Sequence, residues 1–201
     1  MPANIERIGL FGGTFDPVHC GHLIVAQAVL EEIPLDRLIF IPSANPPHKG
    51  GEIMFDAVSR LRFLELAAGG DPRFSVSDIE LNRSGPSYTI DTIREIRKSL
   101  PDGAEIFFIV GKDNLAEMES WKDPLSIFDS STVAVAERSF GSGRPAPPWI
   151  AERILPVRTP VVDISSSDIR RRLREGTSIR YLVPDAVREA IIGTLSSAPG
   201  R

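Results

Sequence analysis

The residues whose types and spacing could perform chemistry are concentrated in one stretch, residues 9–22, which ends in His19-Cys20-Gly21-His22. Two imidazoles three residues apart lie on one face if the turn is helical, and Gly21 leaves room between them. Imidazole donates hydrogen bonds to phosphate oxygens and adds positive charge when it is protonated. The pattern therefore indicates a site that stabilises charge building up on phosphate during group transfer.

This stretch lies between a short apolar segment at 5–11 and a run at 23–33 whose apolar residues recur at helical spacing. We predict a strand, a turn and a helix, with the turn at the carboxyl end of the strand, where α/β folds bind ligands. Gly12 and Gly13 are expected to turn the backbone tightly and to let a ligand approach it. The N–H groups of the first helical turn favour an anion there. Neither a G-x-G-x-x-G fingerprint nor a G-K-[ST] phosphate loop is present.

Two simpler interpretations of the histidines compete with phosphate binding. The pair could form a metal site with Asp16 or Cys20, but three histidines and one cysteine in the chain are too few for a closed zinc site of the usual kinds. Each histidine could instead be a capping or packing residue, which is the ordinary role of a lone histidine. Two histidines in one glycine-rich turn favour a functional site, since sites cluster at such turns.

A second candidate stretch is residues 164–170, which is predicted to open a short helix that runs to about residue 175. Serines are ordinary caps at a helix start. Here Ser166 and Ser167 precede Arg170 by about one turn, so that hydroxyls, helix terminus and guanidinium can face one phosphate group. A hydrogen bond to a charged group contributes about 1.5–3 kcal/mol and a helix terminus about 0.3–1 kcal/mol, so side chains supply most of the affinity for an anion.

Further candidate residues each have a simpler alternative. His48 and Lys49 follow a proline pair in a loop, which could equally be a plain solvated loop. Gly111 follows a uniformly apolar run and puts Asp113 near the carboxyl end of a strand, where the carboxylate could also be a helix cap. Trp121 could stack on a heteroaromatic ligand, although a lone tryptophan most often packs in a core.

Composition restricts the class of protein. The chain has 201 residues, 42% hydrophobic and 25% charged, which suits one ordinary domain with a sizeable core. A net charge of −4 and a pI near 5.5 argue against a nucleic-acid coat protein, so a bound anion needs a locally positive pocket. With one cysteine, no signal peptide and no apolar run of transmembrane length, we expect a cytoplasmic protein without nucleic-acid or membrane partners.

Alternating apolar runs and helical patterns predict an α/β fold with parallel strands. Predicted strands after the first cover residues 38–41, 74–81, 106–110, 132–136, 154–157 and 161–162. Predicted helices after the first cover 56–68, 88–100 and 164–175, and 138–148 is predicted to be a loop. Without repeats or a change of composition, residues 1–201 are predicted to be a single domain with a helical C-terminal part at about 164–195.

The chain resembles the HxGH nucleotidyltransferases and, among them, the bacterial nicotinate-nucleotide adenylyltransferases. The first and last matching segments are typical of the superfamily, and the middle ones of the nicotinate branch. The matching segments are residues 12–22, 46–49, 85–92, 108–113, Trp121 and 164–170. The resemblance implies a Rossmann-like, doubly wound parallel sheet with a small C-terminal helical lobe.

The resemblance also implies a reaction. AMP passes from ATP to nicotinate mononucleotide by in-line attack without a covalent intermediate, which gives deamido-NAD and pyrophosphate in NAD biosynthesis. ATP is the co-substrate, and because the sequence has no D-x-D or other carboxylate cluster, we expect Mg²⁺ to arrive on its phosphates. The sequence leaves the oligomeric state open.

By the same resemblance, His19, His22 and Arg170 are the implied catalytic residues. The implied ATP site comprises Gly12, Gly13, Thr14, Phe15, His19, His22, Gly111, Asp113, Ser166, Ser167 and Arg170. The implied site for the mononucleotide comprises Thr14, His48, Lys49, Tyr88, Thr89, Asp113 and Trp121. In it, Trp121 stacks on the nicotinate and the backbone N–H of Thr89 binds its carboxylate.

Two positions depart from the family pattern. Ser167 replaces the usual threonine but keeps the hydroxyl, and Lys122 replaces a residue that is often aromatic. A lysine near the site would favour an acid over an amide. Two alternatives stay open: the same transfer to nicotinamide mononucleotide or phosphopantetheine, and a non-catalytic adenine-nucleotide sensor. Tyr88, Thr89 and Trp121 argue against phosphopantetheine. The intact histidine pair and Arg170 argue against the sensor.

Overall fold

The structure, a computed structural model, describes residues 5–45, 53–136 and 145–197. His48, Lys49 and most of the predicted loop at 138–148 lie outside the described residues. The strands are β1 (Arg7–Gly13), β2 (Arg37–Pro42), β3 (Phe74–Val76), β4 (Glu105–Gly111), β5 (Thr132–Ala136) and β6 (Ile154–Val157). The helices are α1 (Cys20–Glu32), α2 (Ala57–Ala68), α3 (Thr89–Arg97), α4 (Pro124–Ser130), α5 (Pro148–Ala151), α6 (Ser166–Arg174) and α7 (Asp185–Ser197), with a 3₁₀ helix at Lys112–Ser120.

Within the described residues the strands form one parallel sheet in the order β3-β2-β1-β4-β5-β6. The order reverses between β1 and β4, which are hydrogen-bonded neighbours with Leu10 opposite Phe108. Open α/β sheets bind ligands in the crevice where the strand order reverses, outside the carboxyl ends of the strands. The predicted α/β fold with a doubly wound, Rossmann-like sheet is confirmed, and its crevice lies at the ends of β1 and β4.

The central strands contribute side chains to two apolar cores, one on each face of the sheet. In β4, Phe107 and Ile109 belong to the core that includes α1, α2, α6 and α7, while Phe108 and Val110 belong to the core that includes α3 and α4. A parallel strand that is covered on both faces is a continuous apolar run, as predicted for residues 106–110.

The third strand is shorter than predicted. It ends at Val76, and the N–H of Ser77 makes a last bond to the carbonyl of Phe40 in β2 at 2.9 Å. Beyond it, backbone hydrogen bonds span three and four residues, as in turns. The prediction of a strand over 74–81 is therefore wrong in its second half, because Ile79 packs on the core from a turn and not from the sheet.

One further prediction is wrong, and two short helices were not predicted. Residues 161–162 do not form a strand: Val161 is exposed, and it follows Pro160, which has no N–H to donate to a sheet. The 3₁₀ helix and α4 were not predicted from the sequence. Both are short, and Pro124 at the first position of α4 suits a helix start.

In the described part of the chain, no helix has the length and apolar character that crossing a membrane requires.

Candidate active site

The two histidines lie side by side at the start of α1. His19 is the N-cap residue, and its backbone N–H donates to Nδ1 of His22 at 3.2 Å. The imidazole rings stack with centroids 3.7 Å apart and planes 27° apart. A Cβ at Gly21 would lie 3.0 Å from Nδ1 of His19, so a side chain there would displace the His19 ring. The prediction that Gly21 makes room for the pair is confirmed.

The hydrogen bond between them identifies the nitrogen of His22 that carries the proton. Because a backbone N–H donates to Nδ1, this atom keeps its lone pair, and the proton of the neutral ring is inferred to lie on Nε2. Phe15 packs edge-on against the His22 ring with centroids 4.9 Å apart, and both histidines are buried. The ring is therefore held in one orientation, with its proton on Nε2.

The turn before the histidines is made by Phe15 and not by the glycine pair. Gly12 and Gly13 complete β1, where they pair with Ile41 and Pro42 of β2, and neither has a positive φ. Phe15 has a φ of 49°, in the left-handed region. This conformation costs residues other than glycine about 1 kcal/mol or more of conformational free energy. Burial of its ring offsets this cost. The prediction that the glycines turn the chain is therefore wrong.

Helix α6 brings a guanidinium and two hydroxyls to this turn. Nη1 of Arg170 donates to the backbone carbonyl of Asp16 at 2.8 Å, and Oγ of Ser166 donates to that of Pro17 at 2.9 Å. Nη2 of Arg170 also donates to Oγ of Ser167 at 3.2 Å. The two candidate stretches thus lie against each other, although Pro17 and Ser166 are 149 positions apart in the sequence.

Asp16 provides a carboxylate in this region whose oxygens already accept hydrogen bonds. The backbone N–H groups of Met54 and Phe55 donate to Oδ2 and Oδ1, each at 2.9 Å, and Nη1 of Arg170 lies 3.6 Å from Oδ2. Asp16 therefore joins residues 14–22, the histidine turn, to the segment before α2 and to α6. Among the described residues, no group of three or more His, Cys, Asp or Glu side chains is arranged to hold a metal ion.

Arg60 of α2 is a buried cation that sequence analysis missed. It is 1% exposed, and it donates to the carbonyls of Phe55 at 3.1 Å, Thr14 at 2.7 Å and Ser43 at 2.8 Å. Burial lowers the pKa of Arg60, and the nearby carboxylate of Asp16 opposes this effect. The side chain therefore fixes the segments that follow β1 and β2 relative to α2. Its signal in the sequence is an arginine one turn from buried apolar residues of the same helix.

A cavity of about 200 Å³ opens at the carboxyl ends of β1 and β4. Its walls come from the ends of these two strands and of β2, from the first turn of α3, and from the 3₁₀ helix and the residues that follow it. The predicted site residues that line it are Gly12, Gly13, Thr14, Tyr88, Thr89, Gly111 and Trp121. The cavity lies at the reversal of strand order, where a doubly wound sheet binds its ligand.

One wall of the cavity combines aromatic rings with an ion pair. Trp121 packs edge-on against Phe108 with centroids 6.1 Å apart. Nζ of Lys122 lies 4.7 Å from the centroid of the Tyr88 ring and donates to Oδ2 of Asp91 at 2.8 Å. A cationic group thus stands beside the aromatic rings at the rim, about half exposed to solvent.

Not every predicted residue lines the cavity. The residues of the histidine turn and α6 do not line the cavity, but the ring of Phe11, which does, lies edge-on to that of His22 with centroids 6.1 Å apart. The predicted residues outside the cavity wall are His19, His22, Ser166, Ser167 and Arg170. Asp113 is exposed in the first turn of the 3₁₀ helix, and its neighbour Asn114 lines the cavity instead.

Glu80 is a second buried charged residue that sequence analysis missed. It lines the cavity and is 7% exposed. Burial raises the pKa of Glu80, and hydrogen bonds from Thr92 and Ser87 and the charge of Arg83 oppose this shift. Its signal in the sequence was hidden, because the predicted strand over 74–81 placed residue 80 in an extended segment.

The chain is similar to a known protein family and to known proteins. Residues 10–172 match the family model described as cytidylyltransferase-like. A protein of Thermomicrobium roseum is 40% identical over 192 residues, which cover 93% of this chain and 89% of that protein. A protein of Thermus thermophilus is 46% identical over 182 residues, which cover 90% and 94%. Both relatives carry the name "Probable nicotinate-nucleotide adenylyltransferase".

Solved structures share the fold. The nicotinic acid mononucleotide adenylyltransferase of Plasmodium falciparum matches with a TM-score of 0.77 in its complex with NaAD and 0.76 in its complex with APC. Sequence identity is 17% and 16%, and each match covers 94% of this chain and 96% of the other. Similarity at this level of identity concerns the fold alone.

Proposed function

Since the chain belongs to the nicotinate-nucleotide adenylyltransferases within the cytidylyltransferase-like family, we propose that its site transfers AMP from ATP to nicotinate mononucleotide by direct in-line attack. The products are deamido-NAD and pyrophosphate, so the enzyme acts in NAD biosynthesis. The observation that carries the mechanism is the stacked His19–His22 pair beside a cavity at the reversal of strand order. ATP is a substrate, and its phosphates and the acceptor occupy adjoining parts of this crevice.

The phosphates of ATP bind at the histidine turn. During transfer, negative charge builds on the oxygens around the α-phosphorus, and donors that are already oriented stabilise that charge without reorganising. Nε2 of His22 is such a donor, because the backbone of His19 fixes its ring. Arg170 and the hydroxyls of Ser166 and Ser167 complete the positive side of the site, held by the contacts of α6 with the same turn.

The acceptor mononucleotide binds in the cavity. The ring of Trp121 offers a stacking surface to the nicotinate, and the start of α3 at Thr89 offers N–H groups that a helix cannot satisfy internally. A carboxylate is favoured at such a helix start. The cation of Lys122 at the rim adds to the preference for an acid over an amide. Its pairing with Asp91 weakens this electrostatic contribution.

Mg²⁺ enters as part of the ATP substrate. The carboxylate of Asp16 lies beside the phosphate site, but it already accepts two backbone hydrogen bonds and lies 3.6 Å from Arg170. Magnesium keeps several waters and uses substrate phosphates in many transfer enzymes, which suits a site of histidines, hydroxyls and arginine.

The enzyme is further proposed to act in the cytoplasm as a single domain of residues 1–201. The lone cysteine, Cys20, suits a reducing compartment. Two apolar cores that share one continuous sheet support the single domain.

The test is release of pyrophosphate from ATP and Mg²⁺ with nicotinate mononucleotide, nicotinamide mononucleotide or phosphopantetheine, measured side by side. We expect turnover with the acid to exceed turnover with the amide and with phosphopantetheine. Equal or reversed rates with the amide would keep the chemistry and overturn the assignment of the acceptor pocket. If no pyrophosphate were released with any of the three acceptors while ATP still bound, the proposed enzyme activity would be wrong and the adenine-nucleotide sensor would be supported.

A further inference from the structure

The carboxylate of Glu80 lies in the wall of the cavity, at a distance in sequence from the histidine turn, and the proposed chemistry does not use it. Oε1 of Glu80 accepts a hydrogen bond from Oγ1 of Thr92 at 2.6 Å. The Ser87 side chain also hydrogen-bonds to the Glu80 carboxylate. Thr92 belongs to α3, whereas Ser87 precedes that helix, so one carboxylate holds both sides of the helix start.

The Ser87 hydroxyl in turn holds the segment that follows β2. Its oxygen accepts from the backbone N–H of Ala44 at 3.1 Å and of Asn45 at 3.3 Å. The N–H of Ser87 donates to the carbonyl of Asn45 at 3.1 Å, and the Asn45 amide donates to the carbonyl of Gly85 at 3.2 Å. The segments after β2 and before α3 are therefore joined to each other beside the cavity.

Counting donors and acceptors explains the need for a carboxylate. A hydroxyl has one proton and two lone pairs. The lone pairs of Ser87 serve the two backbone N–H groups, and Thr92 accepts from Nη2 of Arg83 at 3.0 Å. Each hydroxyl can then offer its proton to a strong acceptor that lies between the two, and ionised Glu80 accepts from both.

We propose that Glu80 is the positioning residue of the acceptor pocket: it holds the start of α3 and, through Ser87, the segment after β2, and so sets the affinity for the acceptor mononucleotide. This inference rests on the proposed function, since it assumes that the acceptor occupies this cavity. Tyr88 and Thr89, which line the cavity between the two anchored hydroxyls, are the residues whose positions depend on Glu80. The histidine turn, where ATP phosphates bind, has its own supports in Arg60, Asp16 and α6.

The experiment is steady-state kinetics of pyrophosphate release with each substrate varied in turn, on wild type, Glu80→Ala, Glu80→Gln and the control Glu95→Gln. Glu95 pairs with the same Arg83 at 3.3 Å but is exposed and does not line the cavity. We expect Glu80→Ala to raise KM for nicotinate mononucleotide about tenfold, the size of one charge-assisted hydrogen bond, with kcat and KM for ATP within about twofold of wild type.

The conservative variant separates positioning from a general loss of structure. In Glu80→Gln an NH₂ group that cannot accept replaces one carboxylate oxygen, so we expect KM for the acceptor to rise about threefold, between wild type and Glu80→Ala. Glu95→Gln is expected to leave all three parameters unchanged. If Glu80→Ala fails to fold, Thr92→Val supplies the same test, because it removes the 2.6 Å bond between Thr92 and Glu80 and leaves the bonds of Ser87 to the segment after β2 in place.

Either of two results would overturn the inference: equal rises in KM for ATP and for the acceptor, or a fall in kcat with both KM values unchanged. Quenching of tryptophan fluorescence by the mononucleotide gives its dissociation constant without turnover, and this constant should follow KM. The proposed function would fail separately, if wild type itself released no pyrophosphate with the acid.

Discussion

At the scale of single residues, the proposed role of the histidine pair depends on the fixed orientation of the His22 ring. The backbone N–H of His19 and the ring of Phe15 hold the His22 ring in one orientation, and in the proposed transfer its Nε2 donates without prior rearrangement. Such preorganised donors lose little free energy when charge develops on a substrate oxygen. Geometry, and not only the presence of two imidazoles, is therefore the property that variants should probe.

Replacing His22 by alanine should lower kcat for pyrophosphate release by about 10²–10³-fold, as loss of one oriented transition-state donor does elsewhere. KM values should change less, because the fold of the turn remains. The matched control is Cys20→Ala in the same turn, which should stay within about twofold of wild type since the thiol has no role in the proposed transfer. Near wild-type kcat in His22→Ala would contradict the assigned role.

Replacing Gly21 by alanine tests orientation without removing either imidazole. The new Cβ would lie 3.0 Å from Nδ1 and 3.1 Å from Cε1 of His19, so the ring must shift. We expect kcat to fall about 10- to 100-fold, which small misplacements of catalytic groups can cost.

Gly193→Ala in α7 is the control for Gly21→Ala, since a Cβ there meets no atom within 4 Å. It should leave kcat unchanged. If the two alanine variants had the same kcat as wild type, the position of the His19 ring would be irrelevant to turnover.

At the scale of elements, the loops of the site are held by buried side chains from outside the motif. Arg60 connects the ends of β1 and β2 to α2, and Asp16 connects the histidine turn to the segment before α2 and to α6. These long-range hydrogen bonds restrict the loops. Such restriction is what a set of catalytic side chains needs in order to keep its geometry.

Replacing Arg60 by methionine should lower the free energy of unfolding by about 2–5 kcal/mol, because three carbonyl oxygens in or near the core lose their donor. Urea unfolding followed by circular dichroism measures this loss. The matched control is Arg62→Met, two residues along the same helix and exposed, which should change stability by about 0.5 kcal/mol or less. Equal stability of the two variants would show that Arg60 carries no structural role.

At the scale of the whole molecule, an acidic protein binds anionic substrates. The net charge of −4 opposes ATP at long range, so ATP needs donors that act locally, which in the proposed site are the helix start at α1, the donors of α6 and Lys122. The buried carboxylate of Glu80 adds a dependence of global stability on pH, because folding changes its ionisation.

Folding raises the pKa of Glu80 above its ordinary value of 4.5, so protonation of this carboxylate is more favourable in the folded state than in the unfolded state. Its contribution to stability is fully present below pH 4.5 and is lost as pH rises through the raised value. Glu80→Gln does not titrate. The free energy of unfolding of wild type relative to Glu80→Gln should therefore fall across this window and stay constant above it, as urea titrations at several pH values measure. A difference that grew with pH would mean a lowered pKa.

The sequence by itself determined the strands and helices that flank the candidate site residues. The apolar run of β4, the helical spacing of α1 and the H-x-G-H and serine-arginine segments depend on local periodicity and on residue type, which a linear pattern expresses directly. The resemblance carried by those segments also gave the family and the fold, and both were confirmed.

Only the tertiary structure decided how these elements are joined. Arg60 and Glu80 acquire their roles from partners that the fold brings close, up to 46 residues away for the bond between Arg60 and Thr14. Phe15, with its left-handed φ, is buried against the ring of Phe40 in β2, and β3 ends at Val76, after which the chain turns and Glu80 lines the cavity. Local pattern encodes which residues face a core, whereas long-range packing and hydrogen bonding decide which polar groups are buried together.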